Sequence, residues 1–180
     1  ESISEPINSL LEDKQDETLR KEDLTSRGRV EETLINIWKE LLGVNSLMKT
    51  DDYFDLGGTS LVAIRMFAEI EKIFGKRLPL STVFSAPTVA QLADLLCEEQ
   101  PSYSWSSLVK IKTGGDRPPF FCFHGSGGNV IVYQKLANYL SPDQPFYGVQ
   151  SKGLDGKGIV SLSIEEMARD YYEDIKKIQP

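Results

Sequence analysis

Residues 55–61, Asp-Leu-Gly-Gly-Thr-Ser-Leu, constrain this chain more than any other stretch. A polar, turn-prone loop ends in Gly57 and Gly58, two hydroxyl residues follow, and a helical pattern starts at once. Paired glycines let the backbone turn sharply and keep side chains away from the approach to Ser60. Ser60 then stands in the first turn of a helix, where free N–H groups and the positive dipole end favour an anion. A serine so placed can anchor a phosphodiester. Ser and Thr are also the commonest helix N-caps, and on spacing alone the cap is the commoner role.

The pattern around this loop is helical. From Arg27 onward Val30, Leu34, Ile37 and Leu41 recur at 3.6-residue spacing, Trp38 and Leu42 widen the stripe, and Gly43 is a C-terminal stop. The loop over residues 44–58 is pinned by Leu47, Tyr53, Phe54 and Leu56. A second helix is expected from about Ser60 to Phe74, with Leu61, Ile64, Phe67, Ile70 and Phe74 inward and Gly75 as its stop. Residues 81–84 suit a short helical turn. Thr88 and Gln91 form a capping box ahead of the stripe Val89, Leu92, Ala93 and Leu96. The expectation for residues 26–99 is an all-α four-helix bundle, three helices long and one short. Residues 1–25, charged and without clear periodicity, read as a linker with a frayed helical turn near residues 19–24.

Residues 100–107 are a polar break and a second linker. Beyond it strands and helices alternate. Strands are expected at 108–112, 120–123 and 146–149, the second of them buried and fully apolar. A glycine-rich loop occupies 124–128. Val130, Tyr133, Leu136, Ala137 and Leu140 mark a helix, and Ser163 with Glu166 opens another through Ile164, Met167, Ala168, Tyr171, Ile175 and Ile178. Tyr171 and Tyr172 read as one buried and one exposed residue. This order implies a partly parallel α/β sheet in residues 108–180. The glycine-rich loop lacks both G-x-G-x-x-G and a P-loop lysine.

Asp-Asp-Tyr-Phe-Asp-Leu-Gly-Gly-Thr-Ser-Leu, residues 51–61, resembles the core motif of the peptidyl and aryl carrier domains of nonribosomal peptide synthetases. The Gly-Gly-Thr before the serine is closer to that family than to fatty-acid or polyketide carriers. The resemblance implies that Ser60 bears a covalent 4′-phosphopantetheine arm, derived from coenzyme A, whose thiol holds an acyl or peptidyl chain as a thioester. It also implies the partners: a phosphopantetheinyl transferase, upstream synthetase domains and a thioesterase domain in cis.

Phe-Cys-Phe-His-Gly-Ser-Gly-Gly, residues 121–128, is similar to the oxyanion loop of α/β-hydrolases. With Tyr133, Leu136 and residues 146–150, the segment 108–180 resembles the N-terminal portion of a type I thioesterase domain. That resemblance implies backbone N–H donors to an oxyanion around Gly125, Ser126 and Gly127. The chemistry also needs a G-x-S-x-G nucleophile, a later carboxylate and a later histidine. The sequence contains no G-x-S-x-G, and its one histidine, His124, suits a structural role at the end of a strand. No catalytic residue is therefore expected within these 180 residues. Two further functions stand beside the carrier: a thioesterase whose catalytic residues lie outside this chain, and an interaction module without covalent chemistry.

Charge sharpens the partner set. The net −7 divides into −5 over residues 1–25, −3 over 26–100 and +1 over 101–180, with no basic patch, which argues against nucleic acid. No apolar run approaches the ~20 residues of a membrane span. The acidic, polar start does not resemble a signal peptide. Cys97 and Cys122 read as buried reduced thiols. Together these features suggest a cytoplasmic protein. Asp51, Asp52 and Asp55 read as a solvated acidic loop rather than a metal site. The surface around Leu61, Val62, Arg65 and Met66 is expected to dock partner enzymes.

Overall fold

The computed structural model describes residues 26–98, 106–154, 161 and 163–180. The expected linker over 1–25, its helical turn near 19–24, and residues 100–105 of the second linker lie outside the described residues.

The first part is helical. Helix α1 spans Arg27–Leu42, α2 Ser60–Phe74, α3 Thr82–Ser85 and α4 Val89–Cys97. Gly43 and Gly75 end α1 and α2 in the left-handed region, at φ 69° and 66°. The Thr88–Gln91 capping box forms in full at the start of α4. Lys76 Nζ donates to the carbonyls of Leu96 and Glu98 at 2.7 Å each, satisfying the far end of that helix. The core joins Val30, Leu34, Ile37 and Trp38 of α1 to Leu92, Ala93 and Leu96 of α4 and to the inner face of α2.

That inner face differs from the expected one. Ala63, Met66, Phe67 and Ile70 are buried, whereas Leu61 and Ile64 are 58% and 46% exposed. Met66, expected on a docking surface, belongs to the core at 1% exposure. Apolar side chains occupy so much of α2 that periodicity does not set the phase of the buried stripe; contact with α1 does.

The loop before α2 is fixed by Tyr53. Its ring is buried and packs edge-on against Trp38 at 5.4 Å between centroids. Its N–H donates to Pro87 O at 2.7 Å, and its hydroxyl donates to Thr59 O at 2.7 Å. A Cβ on Gly58 would stand 2.2 Å from Tyr53 Cε1, so only glycine lets the chain cross the ring. Gly57, at φ 88°, supplies the left-handed turn ahead of it. Gly58 therefore serves to seat the loop on Tyr53 rather than simply to clear the approach to Ser60. Asp52 is equally structural: its Oδ1 accepts from Phe54 N–H at 2.7 Å. Asp51 Oδ2 accepts from Met48 N–H at 2.8 Å. No group of acidic, Cys or His side chains suited to a metal occurs among the described residues.

The second part is a three-stranded sheet with strands β1 (Leu108–Lys112), β2 (Phe120–Phe123) and β3 (Phe146–Val149), ordered β1-β3-β2. β3 runs antiparallel to β1 and parallel to β2. Between β2 and β3 lie a 3₁₀ turn, Ile131–Tyr133, and α5, Gln134–Tyr139; α6, Ile164–Lys176, follows β3. Lys112 Nζ closes the end of α5 by donating to the carbonyls of Ala137, Leu140 and Ser141 at 2.8–3.0 Å. β3 is the buried centre. β2 is an outer strand, and Phe120 and Phe123 are 45% and 51% exposed, so it is not the fully buried strand its composition suggests. Leu136 is also exposed, and Cys97 and Cys122 are half-buried rather than fully buried. Tyr171 is buried and Tyr172 exposed, as expected. No helix among the described residues is long and apolar enough to cross a membrane.

The two parts touch. Ile131 enters the helical core at 4% exposure. Buried Gln150 donates from its N–H to Ser107 O at 2.7 Å and from Nε2 to Ser106 O at 2.7 Å and Ser81 Oγ at 3.4 Å. Ser107, expected in a linker, is buried and donates its hydroxyl to Asp174 of α6.

Urea denaturation of single variants checks the phase of α2. Met66→Ala is expected to cost about 2–5 kcal/mol, while Leu61→Ala stays within about 0.5 kcal/mol. Equal losses would refute the phase. A second pair tests the tyrosine seat. Tyr53→Phe removes one hydrogen bond and should cost about 1 kcal/mol, and Gly58→Ala should cost about 1–3 kcal/mol through overpacking. A Gly58→Ala chain as stable as the parent would show that the ring yields freely.

Candidate functional site

Thr59 and Ser60 divide two roles, helix cap and anchor, that the spacing offers for Ser60 alone. Thr59 is the N-cap: its backbone is extended and its Oγ1 accepts from Val62 N–H. Ser60 is the first residue of α2 and half-buried, and its hydroxyl has no hydrogen-bond partner among the described residues. The cap reading of Ser60 is thus replaced by its neighbour, and the Ser60 hydroxyl is left for chemistry. No acidic side chain lies in the first turn of α2 to oppose an anion there.

Beside Ser60 opens a cleft of about 300 Å³. One wall is the serine loop, with Phe54, Asp55, Gly58 and Thr59; the other is the 3₁₀ turn and α5, with Val132, Gln134 and Lys135 among its residues. Sequence reasoning missed this second wall. Its residues lie more than 70 positions from Ser60, and no local motif marks them.

The glycine-rich loop takes shape at the end of β2. His124 N–H donates to Val149 O at 2.8 Å, extending the β2–β3 pairing by one residue. Gly125 O accepts from Gly128 N–H at 3.0 Å, closing a turn in which Gly125, Ser126 and Gly127 are exposed. The His124 ring is fully engaged. Nδ1 lies 2.7 Å from Gly125 O, which can only accept, so Nδ1 carries the proton; Nε2 then accepts from Tyr171 O–H at 2.8 Å. Burial pushes the Tyr171 phenol above its ordinary range, which keeps it a donor. The imidazole is a tie between the loop and α6, in keeping with the structural role expected for it.

Two protein families match successive parts of the chain. Residues 32–96 match the phosphopantetheine attachment site family, and residues 118–180 match the thioesterase domain family. The chain is 43% identical over 155 residues to malpibaldin synthetase of Mortierella alpina, covering 85% of this chain and 3% of that protein. It is 35% identical over 150 residues to a dimodular nonribosomal peptide synthase of Bacillus subtilis (strain 168), covering 83% of this chain and 6% of that protein. A four-domain nonribosomal peptide synthetase solved with AMP and glycine aligns at TM-score 0.46 and 30% identity, over 84% of this chain and 11% of that one. The chain thus spans only a few per cent of the relatives it matches. It is similar to a small part of nonribosomal peptide synthetases, with a match to the phosphopantetheine attachment site family followed by one to the thioesterase domain family.

Proposed function

We propose that this chain is an acyl or peptidyl carrier loaded at Ser60, and that it presents its cargo to an adjoining thioesterase. The observation that carries the assignment is the split between Thr59 and Ser60: the cap is filled by Thr59, and a serine hydroxyl without a protein partner faces a cleft at a helix N-terminus. These residues fit a phosphodiester. Attachment forms an Oγ–P bond and breaks the P–O bond of coenzyme A that holds the adenosine bisphosphate, which leaves; the hydroxyl proton passes to the transferase. The arm supplies a thiol for thioester chemistry, and this chain's residues position it. The exposed Leu61 and Ile64, with exposed Arg65, form the docking surface for transferase and synthetase domains. The domain bounds belong to the same proposal: linkers at 1–25 and 100–107, a four-helix carrier at 26–99, and the front of an α/β-hydrolase at 108–180. So does a cytoplasmic location, in keeping with the chain's acidic, polar character.

Incubation with a broad-range phosphopantetheinyl transferase and coenzyme A should add one phosphopantetheine to the mass of the chain. Ser60→Ala should abolish the gain. A gain that persists in Ser60→Ala, or none in the parent, refutes the assignment.

A hydrolase reading is weaker for these 180 residues. Gly125, Ser126 and Gly127 present an exposed turn that suits oxyanion donors. Ser126 has no base, because both nitrogens of the only histidine are occupied. Oxyanion donors alone leave a small residual rate. The purified chain is therefore expected to release no thiol from an acyl-pantetheine thioester above background. Turnover that disappears in Ser126→Ala would overturn this and make Ser126 a nucleophile.

A further inference from the structure

The cleft beside Ser60 has a second polar feature that neither the fold nor the carrier chemistry described so far requires. Gln134 Oε1, at the start of α5, is buried and has no hydrogen-bond partner among the described residues, and Gln134 lines the cleft. Buried acceptors are almost always paired, so an orphan at a cleft wall marks a missing donor. The next residue, Lys135, is exposed, lines the same cleft and forms no ion pair with the described residues. Val132, 60% exposed, adds an apolar surface on the same wall. Asp55 on the carrier wall is the opposing charge.

We propose that this wall is a resting cradle for the near half of the phosphopantetheine arm, so that the thioesterase-like segment holds the prosthetic group of its own carrier. The inference rests on Ser60 as the attachment residue. The three features match three groups of the arm. The phosphodiester carries a negative charge, which Lys135 on the facing wall of the cleft would meet. The gem-dimethyl carbon of the pantoyl unit is apolar and meets Val132. The pantoyl hydroxyl and the first amide N–H are donors, and one of them pairs with Gln134 Oε1 once the half-buried side chain turns into the cleft. At about 300 Å³ the cleft stands at the lower end of small-molecule pockets, which run from about 300 to 1,000 Å³, so it takes the near half of the arm and leaves the thiol and its cargo outside. The contact is intramolecular, which makes even weak individual interactions effective. The cradle would therefore bias the carrier toward the α/β segment whenever the arm is loaded and undocked from another domain.

The test uses the isotope-labelled 180-residue chain, converted with transferase and coenzyme A and checked by intact mass. Nuclear Overhauser cross-peaks between the gem-dimethyl protons and the Val132 methyls are expected. Loading should also shift the backbone amides of residues 131–138. Lys135→Arg should keep both signals, and Lys135→Glu should lose them while still gaining the full mass of the arm. A chain that loads fully at Ser60 but shows no cross-peak to Val132 and unshifted amides over 131–138 overturns the cradle. Failure to gain mass overturns the Ser60 assignment instead, so the two failures are distinguishable.

Discussion

The contact of the Tyr53 ring with the bare backbone of Gly58 is the constraint on which the rest of the carrier depends. The ring is held from below by Trp38 of α1, and its own N–H is tied to Pro87 just ahead of α4. Its hydroxyl reaches the carbonyl of Thr59, the residue that starts α2. One side chain therefore links all three long helices to the loop that delivers Ser60. Burial drives the phenol well above its ordinary titration range, so the link does not ionise under ordinary conditions. The residues flanking it share the load: Phe54 stacks on Phe84 of α3, and Asp52 ties off the turn. The motif Asp-Tyr-Phe-Asp-Leu-Gly-Gly-Thr-Ser is mostly scaffold, and a single hydroxyl in it is left for chemistry.

Much of this was legible in the sequence because it is local. Helix stops at Gly43 and Gly75, the Thr88–Gln91 box and the three strands depend on residues within a few positions of one another, and each falls where spacing puts it. The carrier resemblance likewise sits in one contiguous stretch. What could not be read depends on partners distant in the chain. Leu61, Ile64, Met66 and Phe67 are all apolar, and packing against α1 decides which of them turn inward. Phe120 and Phe123 look like core residues, yet β2 is an outer strand and they are left half open. The cleft at Ser60 has its far wall on α5, and nothing in the composition of Gln134 and Lys135 sets them apart from ordinary helix residues.

The junction between the two parts follows the same logic. Ile131 fills a position in the helical core, and Gln150 satisfies its amide partly through Ser81 on the carrier side. Among the described residues the junction thus includes one apolar insertion and one long hydrogen bond, contacts of the kind that permits domains to separate and return. Such a junction gives the two parts a home position that is specific without being permanent.

The division of labour between Thr59 and Ser60 has a consequence for regulation by modification. A hydroxyl that also capped a helix would lose its hydrogen bond on esterification, and loading would loosen the very loop the transferase must recognise. Here the cap belongs to the preceding residue, so esterification of Ser60 would cost the helix none of its capping hydrogen bonds. A group esterified at Ser60 would be a load on the chassis rather than a part of it: none of the hydrogen bonds that hold the loop is given up when it is attached.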